Sequence, residues 1–70
     1  MTKNEARQRV LDEWRTWAAT KGIQNANGDD AFLFFAYLQN ERDSLLAFHS
    51  SGDRWQVIHA WLLSARLVSN

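Results

Sequence analysis

The chain has 70 residues, eight basic and eight acidic side chains, four Trp, four Phe, one Tyr, and neither Cys nor Pro. That length holds one domain, expected to span residues 1–70, and the missing thiols exclude disulfides and thiolate zinc sites as its staple. Zero formal charge leaves a polyanion binder only a local basic patch to work with, and dense aromatic packing is the remaining route to a stable small fold.

The charges are uneven along the chain. Residues 1–21 hold five basic and three acidic groups, residues 22–49 one basic and four acidic, and residues 50–70 two basic and one acidic. None of these segments is a basic tail. The start, Met1 to Arg7, is polar and lacks the apolar stretch of a signal peptide, and the longest apolar run, Ala31 to Leu38, is too short for a helical membrane span. A cytoplasmic protein without membrane attachment is the expectation.

The first segment, Asn4 to Lys21, predicts an amphipathic helix. Ala6, Val10, Leu11, Trp14, Trp17 and Ala18 share one arc at 100° per residue, and Gln8, Arg9, Asp12, Glu13, Arg15 and Thr16 share the other. Gly22 suits the left-handed position after the helix end. The pairs Glu5–Arg9 and Arg9–Glu13 have favourable spacing on the wet side, and the Arg7 stem can lie over a Trp. A polar loop from Gln24 follows, with Asp29 or Asp30 as the next cap.

Ala31 to Glu41 is apolar nearly all round and predicts a helix at the centre of a bundle, with Phe32, Phe35 and Leu38 in the core. A buried strand is the competing reading, but no second segment could pair with it. Asp43 or Ser44 then caps a short helix through Phe48, and Ser50-Ser51-Gly52 reads as a turn. Asp53 caps a last helix running to Val68, with Gln56 placed as in a capping box. The expected fold is therefore all-α: a compact bundle of three long helices and one short helix around a central apolar helix.

The last helix presents two apolar arcs. Trp55, Val57, Ile58, Trp61, Leu62 and Ala65 form the natural core face, while Gln56, His59, Ala60, Leu63, Arg66 and Leu67 lie opposite. Leu63 and Leu67 are then surplus to the core, with His59 and Arg66 as their rim. Exposed apolar stripes mark interaction surfaces, so the expected function is a non-enzymatic binding module, of regulator or inhibitor type, acting through protein–protein contact. His59, Leu63, Arg66 and Leu67 are its candidate contact residues, toward a foreign protein or a second copy.

The alternative is a helix-turn-helix regulator over residues 44–68, with Arg54 and Gln56 reading bases, Ser51 on phosphate and His59 further along the helix. Neutral charge and the apolar outer face count against it. Three further patterns lead to bland readings. His49, Ser50, Ser51 and Asp53 combine catalytic residue types, but a turn and a cap need the same residues, and a triad needs rigid geometry with an oxyanion hole. His49, His59 and Asp53 lack metal-ligand spacing. Asn25 to Asp30 fails the calcium-loop pattern because the twelfth position is Ala36. No cofactor and no metal is expected. The Trp residues are read as core, with Trp55, in the first turn of its helix, the exception.

Overall fold

The structure is a computed structural model and describes residues 2–48 and 53–70. It is all-helical, with no strand among the described residues: α1 (Lys3–Lys21), α2 (Gly28–Glu41), a one-turn 3-10 helix (Asp43–Leu46) and α3 (Arg54–Ser64). The radius of gyration is 11.1 Å, which matches the roughly 11 Å expected for a well-packed chain of this length. The proposed turn at His49, Ser50, Ser51 and Gly52 lies outside the described residues.

α1 follows its sequence pattern closely. Its six buried residues are Ala6, Val10, Leu11, Trp14, Trp17 and Ala18, the whole predicted arc. Thr2 caps the start by accepting from the Glu5 amide at 3.1 Å. Gly22 ends the helix at φ 69°, and the amides of Gly22 and Ile23 return to Ala19 and Ala18. That left-handed residue closes the last carbonyls at no steric cost because Gly has no Cβ. The charged face departs from expectation. Arg15 pairs with Asp12 at 3.0 Å, and Glu13 turns toward Tyr37 and Arg42 instead of Arg9. Among the described residues the cation resting near an aromatic face is Arg42, 6.0 Å from the Tyr37 ring centre.

The start of α2 corrects the expected cap. Asn27, not Asp29 or Asp30, is the N-cap; its side chain accepts from the amides of Asp29 and Asp30 at 2.9 and 3.2 Å. Asp30 returns a carboxylate oxygen to the Asn27 amide at 3.1 Å and completes a capping box. Moving the cap upstream adds the Gly28 turn and gives a 14-residue helix. Its buried side is Ala31, Phe34, Phe35 and Leu38, an i, i+3, i+4, i+7 stripe. Phe32 is therefore not a core residue: it is 57% exposed, and Phe34, fully enclosed, takes its place. The ring of Trp14 meets Phe34 edge-on at 5.2 Å, and Trp17 meets it at 5.4 Å. α1 and α2 thus meet through long aromatic side chains, while the backbones of both approach α3 and the 3-10 turn more closely.

After α2 the short element is a single 3-10 turn without a side-chain cap bond, so neither Asp43 nor Ser44 has the expected capping role. Phe48 is buried against Trp61, with ring centres 5.1 Å apart. α3 starts at the predicted cap, Asp53, which accepts from the Trp55 amide at 3.0 Å. It ends four residues earlier than expected. Arg66 adopts φ 59°, its amide returns to Leu63, and the Leu67 amide returns to Leu62. This is the hydrogen-bond pattern of a Schellman ending built without Gly. The tail then folds back. Val68 is buried, the Ser69 amide donates to the Ala26 carbonyl at 2.9 Å, and the Gly28 amide donates to Asn70 Oδ1 at 2.7 Å.

Candidate protein-contact face

The exposed large apolar side chains among the described residues are Phe32, Leu33 and Leu63, at 57%, 58% and 40% exposure. Two of the three lie on α2, where the sequence suggests burial. α2 buries only the side facing α1, α3 and the 3-10 turn. Its outer side carries Asp29, Phe32, Leu33 and Asn40, all exposed, with Ala36 half-buried among them.

Trp55 links this side of α2 to α3. Its ring meets Phe32 edge-on at 5.4 Å and 82°, and lies 5.7 Å from the ring of Phe35. His59, one helical turn on, stacks on Trp55 at 4.9 Å with planes 5° apart. Leu63 follows after one more turn on the same stripe of α3. Phe32, Trp55, His59 and Leu63 therefore form a row from the outer side of α2 along α3. His59 is fixed in the row by its Nε2, which lies 2.8 Å from the Asn70 backbone oxygen. That oxygen only accepts, so the bond is made by an Nε2–H of His59 donating to it. The row thus combines rigid rings with a hydrogen-bonded edge.

The other candidate residues separate. Leu67 does not continue the Leu63 stripe, because the helix ends at Ser64; it is half-buried and packs against the core. Arg66 is exposed but serves as the left-handed residue of the helix end. Arg54 donates from Nε to the Leu46 carbonyl at 2.7 Å and ties α3 to the 3-10 turn. Gln56 is exposed on α3, and Ser51 lies outside the described residues. Trp14 and Trp17 are in the core, whereas Trp55 and Trp61 are both half-buried, so Trp55 is not the lone exception among the four.

A groove of about 610 Å3 runs between α1 and α2 beside Leu33. Trp17, Ile23, Ala36 and Tyr37 line it, with Glu13 and Asn40 toward one end and Lys21 toward the other. The Tyr37 hydroxyl donates to Glu13 Oε2 at 2.7 Å. This bond to a carboxylate, aided by partial burial of the phenol, raises the Tyr37 pKa above its ordinary value. Phe32 and Leu33 are the exposed residues that the all-round apolar character of α2 conceals. The detectable signal was the 31, 34, 35, 38 stripe, which by itself fills one side of a helix and leaves both residues outside it.

Comparison with known proteins finds no matching family model, no matching curated protein and no matching solved structure. Among the described residues no helix is long and apolar enough to cross a membrane.

Proposed function

We propose that this protein is a non-enzymatic binding module that acts by protein–protein contact, through the face formed by Phe32, Leu33, Trp55, His59 and Leu63. One observation carries this reading: among the described residues three large apolar side chains, Phe32, Leu33 and Leu63, are exposed while the rest of the large apolar side chains are buried or half-buried. Interfaces are enriched in aromatic anchors held rigid by their neighbours, and Trp55, braced by Phe32, Phe35 and His59, has that character. The reading moves the centre of contact from the end of α3 to the junction of α2 and α3.

A photo-reactive side chain placed at position 63 tests it. Irradiation in extract of the source cells is expected to give one defined protein adduct, either foreign or a second copy. The adduct should disappear when Phe32 and Leu33 are both replaced by Glu. Absence of any specific adduct, or salt-sensitive capture of duplex DNA in its place, would overturn the reading.

A further inference from the structure

We infer that Asn27 and Gly28 form a self-modification site, a deamidation pair that reacts through a cyclic imide, and that Asn70 is the residue that holds it closed. An Asn side chain is open to attack by the backbone nitrogen of the next residue, and that nitrogen is least shielded when the next residue has no Cβ. Asn27 is followed by Gly28, whereas Asn4, Asn25 and Asn40 are followed by Glu5, Ala26 and Glu41.

The reaction begins when hydroxide removes the Gly28 amide proton. The nitrogen then forms a bond to Asn27 Cγ, the Cγ–Nδ2 bond breaks, and Nδ2 leaves as ammonia with a proton from water. Water opens the imide at either carbonyl and gives Asp or iso-Asp. Water is consumed, ammonia is released, and nothing is oxidised or reduced. Two features favour this step. Asn27 is exposed, so water reaches it. Its Oδ1 accepts from the amides of Asp29 and Asp30 at 2.9 and 3.2 Å, two donors at the oxygen where negative charge develops during attack.

Three features oppose it. The Gly28 amide donates to Asn70 Oδ1 at 2.7 Å, and a bond that only the neutral amide makes works against its deprotonation. The Asp30 carboxylate, 3.1 Å from the Asn27 nitrogen, disfavours a second negative charge beside it. The Asn27 ψ of −171° keeps the Gly28 nitrogen staggered from Cβ, whereas the ring needs the two eclipsed. Asn70 is the guard that can move. Gly28 has no positive φ to require Gly, but a Cβ there would meet the Asn70 backbone oxygen at 3.2 Å and Oδ1 at 3.4 Å. The same missing side chain therefore seats Asn70 and bares the nitrogen. Asn70 is tethered by His59 at 2.8 Å and by the Ser69 bond to Ala26, so the site opens when the tail lifts, with the helices intact. The iso-Asp product routes the main chain through the former side chain, which removes the capping box and makes the release permanent.

Incubation of the whole protein in warm, mildly alkaline buffer tests the inference, with conversion at each Asn read by peptide mass mapping and iso-Asp by enzymatic methylation. The chain unfolded in guanidinium gives the unguarded rate, and folded wild type should convert Asn27 more slowly. Asn70→Ala is expected to speed conversion of Asn27 about three- to tenfold, the weight of one net hydrogen bond, and to leave Asn4, Asn25 and Asn40 unmoved. Asn70→Asp keeps an acceptor for the Gly28 amide and should restore the slow rate. Asp53→Ala, which removes the cap of α3 at a comparable loss of stability, should leave Asn27 at the wild-type rate. Equal acceleration by Asp53→Ala would mean that Asn27 reacts only in the unfolded chain, and overturns the inference. So do an Asn70→Ala rate equal to wild type, a fast Asn70→Asp, or folded wild type reacting as fast as the unfolded chain.

Discussion

Phe32 and Phe34 are two residues apart in the same apolar run, and the structure gives them opposite fates. Phe34 is fully enclosed and touches the rings of Trp14, Trp17 and Tyr37. Replacing it with Ala removes a buried ring and leaves a cavity among aromatics that cannot collapse freely, at a cost of about 3–5 kcal/mol. A 70-residue domain has a total stability of roughly 3.5–10 kcal/mol. Phe34→Ala therefore brings the protein close to unfolding at room temperature, with Tm lower by at least about 12 °C. Phe32→Ala removes a ring that is 57% exposed and loses one edge-on contact with Trp55, for about 1 kcal/mol. Urea titrations of both variants, followed by far-UV circular dichroism, measure the difference. Equal losses, or a larger loss for Phe32→Ala, would mean that α2 is rotated from the orientation described, and the exposed face would vanish with it.

Three further outcomes follow from local geometry. Arg66→Gly is expected to stabilise the fold by about 0.5–1 kcal/mol, since Gly adopts φ 59° without strain. Gly22→Ala is expected to cost a similar amount, although its new methyl would meet open space; thermal melts of the pair separate backbone strain from packing. Asn27→Ala should cost about 1 kcal/mol through the lost capping box, and Asp29→Ala much less, because Asp29 accepts no cap bond. Finally, the hydrogen bond to Glu13 raises the Tyr37 pKa above the ordinary 10.0. The folded state then holds the phenolic proton more tightly than the unfolded state. The bond's contribution is fully present below the unfolded pKa and is lost as pH rises through the folded pKa. An ultraviolet titration of this single Tyr should shift toward lower pH in Glu13→Gln, and an unmoved midpoint would refute the assignment.

The helices and most of their ends are legible in the residue pattern alone. Helical periodicity marks α1 completely, because Ala6, Val10, Leu11, Trp14, Trp17 and Ala18 alternate with charges, and an amphipathic stripe has one way to be buried. Gly22 and Asp53 act locally, through left-handed backbone and a capping bond, so their roles are visible without a fold. α2 carries no such contrast: a helix with apolar residues all round does not say which of them faces the core. The direction is set by where α1, α3 and the 3-10 turn arrive, and those arrivals enclose Phe34 while leaving Phe32 and Leu33 outside. The end of α3 was hidden for the same reason. Arg66 has no intrinsic preference for φ 59°, and it adopts that angle where the burial of Val68 and the Ser69 bond to Ala26 reward a chain reversal. Local chemistry thus wrote the elements, and only the packing of distant segments decided which greasy surface was left over.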